Sequence, residues 1–140
     1  MNDGIDKSVC SLQYVTIDDI VKKVKQCGRG ALLGKLDIQS AYRIVPVHPE
    51  DRILLGMIGE DQLFVDAVLP FGLRSAPKIF NAIMIADALQ WIIQSRGVEF
   101  IDHYLDEFVT VGRPKSDECK DNMNISLSVC NELGALVAQE

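Results

Sequence analysis

Apolar side chains at Ile17, Ile20, Val21 and Val24 recur at the spacing of one helix face, between Thr16 with Asp19 in capping-box order and a terminating Gly28. The spacing predicts a helix over Ile17 to Cys27. The period then changes. Ala31-Leu32-Leu33-Gly34-Lys35-Leu36-Asp37 is short and mostly apolar, as a buried strand is, and delivers Asp37 at its end. Arg43 to Val47, Arg52 to Met57 and Gln62 to Val68 read as further short strands, separated by His48-Pro49-Glu50-Asp51 and Gly59-Glu60-Asp61. Ala76 to Ser95 carries no Gly and only an early Pro77, and predicts the longest helix. Its two apolar stripes, Ile79, Ile83, Ala86 with Ile93 and Phe80, Met84, Ala88 with Trp91, imply burial on more than one side. Val98 to His103 and Phe108 to Val111 predict a β-hairpin with Tyr104-Leu105-Asp106-Glu107 at its tip. Ser116 to Leu133 predicts a last helix with Cys119, Met123, Leu127, Cys130 and Leu133 on one face, ended by Gly134 before the strand-like Ala135-Leu136-Val137-Ala138. This order describes an α+β domain, an antiparallel sheet with helices packed on one face.

Composition narrows the function classes. The 140 residues suit one domain, and 48% hydrophobic residues with a mean hydropathy of +0.12 suffice for a core, which excludes disorder as the main state. Lys+Arg 14 against Asp+Glu 20 leaves a net charge of −6 and a pI near 4.9. That excludes gripping nucleic acid over the whole surface, so any such contact is local. Lys22, Lys23 and Lys25, with Arg29 and Lys35, form the dense basic cluster, which reads as a solvated face or as the site of such a contact. Cys10, Cys27, Cys119 and Cys130 are spaced too irregularly for a metal knuckle and read as buried or partly buried thiols. His48 and His103 read as surface or packing residues, and Trp91 with Met84 as core. The N-terminus lacks the order of a signal peptide, and no run of about 18 apolar residues is present to span a bilayer. The expectation is a soluble intracellular chain without membrane contact, cytoplasmic or nuclear.

Three carboxylates, Asp37, Asp106 and Glu107, stand at strand ends where a core is otherwise apolar. Carboxylates converging from separate elements bind hard divalent cations, and a pair of such ions supports in-line phosphoryl transfer. The same acids are equally at home in solvated turns, and spacing alone does not decide between the two.

Three ordered segments add a resemblance. Lys35-Leu36-Asp37-Ile38-Gln39-Ser40-Ala41-Tyr42, Leu69-Pro70-Phe71-Gly72-Leu73-Arg74-Ser75-Ala76-Pro77-Lys78-Ile79-Phe80-Asn81 and Tyr104-Leu105-Asp106-Glu107 resemble three successive motifs of reverse transcriptases. The likeness is greatest to eukaryotic retroelement enzymes of the LTR and tyrosine-recombinase types. It implies a polymerase palm with part of the fingers, and transfer of deoxynucleotides to a primer 3′-hydroxyl with two Mg²⁺ (or Mn²⁺) ions. Asp37 and Asp106 match the metal-binding aspartates, with Glu107 assisting. Tyr42 matches the aromatic gate that excludes a ribose 2′-hydroxyl. Ala41, Phe71 and Gly72 fall at the nucleotide pocket, and Arg74 and Lys78 at positions suited to template phosphates. Implied partners are an RNA or DNA template-primer and a dNTP.

The chain also departs from the pattern. Glu107 replaces the usual second aspartate, and a displacement of about 1 Å at a reacting centre costs on the order of 10²-fold in rate. Against the pattern the resemblance implies, the stretch Ile83 to Trp91 is expected to be two residues longer, which would rotate half of the helix by about 200°. A basic fingers segment, the primer grip, the thumb and a ribonuclease H domain are expected outside residues 1–140. The competing expectations are a non-catalytic remnant serving as a binding module, or having no selected function, and a metal-dependent phosphodiesterase using the same acids.

Overall fold

The computed structural model describes residues 3–10, 15–82 and 85–138. It divides into two compact units, one of residues 1–12 and 40–83, the other of residues 13–39 and 84–140.

The second unit holds the sheet. Helix α1 (Ile17–Cys27) begins at a capping box: the Asp19 carboxylate accepts from the Thr16 hydroxyl at 2.7 Å and from its amide at 3.1 Å. At its other end Gly28 takes φ +98°, a conformation that favours glycine. Strand β1 (Leu32–Asp37) lies antiparallel to β5 (Glu107–Gly112), which pairs antiparallel with β4 (Ile101–Tyr104), giving the order β1-β5-β4. Leu36, Phe108, Thr110 and Ile101 share one buried face, since alternate residues of paired strands point the same way. Helices α3 (Ile85–Ser95) and α4 (Glu118–Glu132) pack there: Gln90 donates to the Ile101 carbonyl and Asn122 to that of Val111. Helix α1 reaches the opposite face, where Lys23 pairs with the buried Asp102.

In the first unit, β2 (Gly56–Gly59) and β3 (Gln62–Val65) form a hairpin. Its two-residue turn, Glu60-Asp61, has φ +51° and +59°, the type I′ arrangement that matches strand twist. Helix α2 (Ala76–Ala82) follows the Leu69–Leu73 turn.

Several sequence expectations change. Ala41–Ile44 and Pro49–Leu55 are 3₁₀ helices rather than strands, and Pro46 pairs with Val68 in an isolated bridge. Pro49 sets a helical φ and the His48 ring accepts the Glu50 amide, so local geometry overrides the apolar pattern. The long helix is described as α2 and α3, and its apolar positions Ile83 and Met84 lie outside the described residues. Trp91 is 69% exposed, not core, because α3 buries a single stripe, Ala86, Leu89 and Ile93. Helix α4 is rotated from its predicted face: Asn122, Ser126 and Val129 are buried with Cys119 and Cys130, while Leu127 and Leu133 are exposed. Small polar residues enter the core because each satisfies itself there, Ser126 by donating to the Asn122 carbonyl at 2.8 Å.

Candidate active site

Register builds the acidic site of the second unit. Asp37 is paired with Glu107 across β1 and β5, so both side chains leave the same face of the sheet, together with Lys35 and Val109 and with Tyr104 and Asp102 of β4. Leu105 and Asp106 form the two-residue turn between β4 and β5. Leu105 sits at φ +56°, a strained conformation for a branched residue, of the kind that concentrates at functional sites. The Ile38 amide donates to the Asp106 carbonyl at 2.9 Å, which fixes the hairpin tip against the end of β1. On its other side that end is held by the Ala138 amide, which donates to the Asp37 carbonyl at 2.9 Å.

The electrostatics follow from this convergence. Burial pushes the Asp106 carboxyl above its usual range; its own amide opposes that, the Asp37 and Glu107 charges reinforce it, and Lys35 counters. The Lys35 ammonium lies 3.0 Å from a Glu107 carboxylate oxygen. Among the described residues, no three His, Cys, Asp or Glu side chains are arranged to hold a metal ion. Glu107 is turned to Lys35, while Asp37 and Asp106 stand on segments joined by the Ile38 amide, close enough for the Asp37 charge to act on Asp106. A pair suffices for Mg²⁺, which takes one or two carboxylates and completes its shell with water and substrate phosphates. Burial and like charge at Asp106 are the conditions a divalent cation relieves, so the residues fit such an ion. A cavity of about 420 Å³ adjoins Glu107, lined also by Tyr104, Asp102, Ile17 and Ile20.

Behind the hairpin His103 is a packing residue, as its sequence suggested. Its Nδ1 lies 2.6 Å from Gln90 Oε1, its Nε2 3.4 Å from Asp87, and its ring stacks obliquely on Phe108 at 5.4 Å. Burial pushes its pKa down, with Asp87 and Asp102 opposing.

The aromatic candidates form a separate grouping in the first unit. Tyr42 is half-buried and meets Phe71 and Phe80 edge-on, with centroids 5.8 and 5.6 Å apart. Phe80 is fully buried and Phe71 is 61% exposed, so the Tyr42 ring is braced from below and open beside Phe71. Ala41 is buried next to it. Gly72 has φ +79° with nothing within 4 Å of where a Cβ would stand, so the turn demands glycine for its conformation rather than for space. Arg74 precedes α2 and donates to the Ile5 carbonyl at 2.5 Å, while Lys78 is half-buried on the helix. A second cavity in this unit, about 610 Å³, is walled mainly by apolar residues such as Val45, Leu54, Leu69 and Ile79 and brings no acids of the hairpin with it.

The basic cluster is largely engaged within its own unit. Lys22 pairs with Asp19 at 2.8 Å, Lys23 with Asp102, and Lys35 with Glu107, so three of its five cations are matched to acids of the same unit. Linear proximity concealed this, because two of these partners lie far along the chain. The pairing of Lys35 was nonetheless detectable: two residues before Asp37 in a strand, it must share the face of the acids.

The family model described as reverse transcriptase (RNA-dependent DNA polymerase) matches residues 4–140. The genome polyprotein of Petunia vein clearing virus is 28% identical over 110 residues, 79% of this chain and 5% of that protein. Polyprotein P3 of Commelina yellow mottle virus is 28% identical over 123 residues, 87% of this chain and 6% of that one. The chain thus spans about a twentieth of the curated relatives it matches. Among solved structures, the native protease-reverse transcriptase of prototype foamy virus aligns with a TM-score of 0.59 and 17% identity over 76% of this chain and 13% of that one. The foamy viral enzyme bound to double-stranded DNA gives 0.62 and 19% over 76% and 17%, and the complex with an RNA/DNA hybrid gives 0.59 and 19% over 76% and 13%. These likenesses show a partial palm and fingers fold of α+β class. No helix among the described residues is long and apolar enough to cross a membrane.

Proposed function

Because the chain belongs to the reverse transcriptase family, we propose that it carries the nucleotidyl-transfer centre of an RNA-directed DNA polymerase. The observation that supports this most is the meeting of Asp37 and Asp106 at the hairpin tip, secured by the Ile38 amide on the Asp106 carbonyl. In this reading Asp37 and Asp106 would hold Mg²⁺ or Mn²⁺, two ions in the complete site, which would supply Lewis acidity for transfer of a nucleotide from a dNTP to a primer 3′-hydroxyl with release of pyrophosphate. Glu107 shapes the field of the site beside them. Tyr42 excludes the ribose 2′-hydroxyl, with Phe80 fixing its ring and Phe71, Gly72 and Ala41 bounding the sugar and base. Lys78 faces template phosphates, and Arg74 contributes through the turn it ties to Ile5. The partners are a template-primer and a dNTP, in keeping with the foamy viral complexes with DNA and with an RNA/DNA hybrid.

The test is Mn²⁺ binding, followed by the electron paramagnetic resonance of the free ion. Saturable binding is expected in the parent chain, with loss of at least about tenfold in affinity in Asp37→Asn and in Asp106→Asn, since each removes a direct ligand. Equal binding in all three, with folding verified by circular dichroism, would overturn the assignment.

A further inference from the structure

Lys35 is bound to the acid that departs from the family pattern, and its geometry gives it a role beyond solvation. It lies on the same sheet face as Asp37, and by register it is paired with Val109, which makes Glu107 its diagonal cross-strand neighbour. Its ammonium reaches Glu107 at 3.0 Å. The Lys35–Glu107 pair is half exposed on both sides, the kind of surface ion pair that exchanges partners readily.

We propose that Lys35 is a counter-cation built into the acidic face, which draws Glu107 out of the metal-binding set and competes with a divalent ion for the charge of the cluster. This rests on the reading of Asp37 and Asp106 as ion ligands. With Lys35 in place the three acids carry part of their own neutralisation, and an arriving ion displaces that ammonium from the field it has been screening. Lys35 is thereby a positioning residue: it sets how many carboxylates the ion meets and how strongly the empty cluster repels itself. The longer side chain at 107 suits this role, because glutamate extends to the diagonal neighbour from a position directly opposite Asp37.

The proposal is tested on the 140-residue chain by Mn²⁺ titration in the parent, Lys35→Met, Lys35→Arg and, as a control for net charge, Lys120→Met on exposed α4. Removing a cation beside a divalent ion tightens binding, so Lys35→Met is expected to raise affinity about fivefold, a gain that shrinks as salt screens the site. Lys35→Arg keeps the pair and is expected to stay within about twofold of the parent, as is Lys120→Met, whose charge is remote and solvated. Unchanged or weaker binding in Lys35→Met, with each chain folded by circular dichroism, would overturn the role of Lys35 while leaving the ion site standing. The same gain in Lys120→Met would also overturn it, as an effect of net charge alone. Binding that survives Asp37→Asn in the Lys35→Met background would overturn the ion site itself, and absence of binding in every variant would overturn both.

Discussion

At Asp106 the needs of folding oppose those of the proposed ion site. The folded chain binds a proton at this carboxyl more readily than the unfolded chain, so ionisation works against folding. Stability contributed by the protonated form is present at low pH and is lost as pH rises from the ordinary carboxylate range through the raised pKa. Asp106→Asn is therefore expected to raise Tm at pH 7 in metal-free buffer by a few degrees, as read by thermal unfolding, and the advantage is expected to vanish near pH 3.5. Glu107→Asp shortens the arm that meets Lys35. Because that pair is half exposed, the change is expected to leave unfolding free energy within about 0.5 kcal/mol of the parent by urea titration. At this scale the sequence was partly legible. The three acids, Tyr42 and Phe71 were singled out by motif, whereas the strained Leu105 turn was not, since nothing about leucine announces a positive φ.

Elements were legible wherever local chemistry specified them, as in the capping box of α1 and the paired strands around Asp106. They were obscured where tertiary packing chose the face. In α4 the buried stripe contains Asn122 and Ser126, whose burial depends on partners, including the Val111 carbonyl, that no periodicity reveals. Gly112 shows the closeness of that packing: a Cβ there would stand 2.3 Å from the Cys119 amide nitrogen, a backbone atom that cannot swing aside. Gly112→Ala is accordingly expected to cost about 3 kcal/mol or more, measurable as a fall in the urea midpoint. Gly34→Ala meets side chains rather than backbone, the flexible Met123 at 2.6 Å and the Thr110 methyl at 3.1 Å, and is expected to cost less than Gly112→Ala. The contact between α3 and β4 has a pH dependence of its own. His103 is held below its ordinary pKa, so its neutral form stabilises the fold above about pH 6.5 and that contribution is lost as acidification protonates the unfolded chain more readily. Unfolding free energy is expected to fall between pH 7.5 and 5.5, and the His103→Gln variant is expected to flatten that slope.

Over the whole molecule, the antiparallel sheet with helices was legible because the period of apolar residues carries that information, whereas the division into two units was not, since no linker composition marks it. The first unit also displays apolar surface unevenly. Ile58 is 82% exposed with Leu63 opposite it on one face of the two-stranded sheet, and Phe64 is 51% exposed with Met57 opposite it on the other. Apolar side chains exposed on both faces promote association, so sedimentation velocity is expected to show self-association that rises with concentration and is reduced in Ile58→Lys/Phe64→Lys. The residues that hold Asp37 in place show a different economy. The Ala138 and Ile38 amides bond to the Asp37 and Asp106 carbonyls, and the Gln39 amide to that of Leu136, so main-chain hydrogen bonds tie the end of β1 to its neighbours. Evolution can therefore rewrite the letters at 136 and 138 without touching the chemistry, while one letter stays forbidden: proline at 138, which has no amide hydrogen to give. In a lineage drifting freely, that prohibition would outlast any preference for a particular side chain.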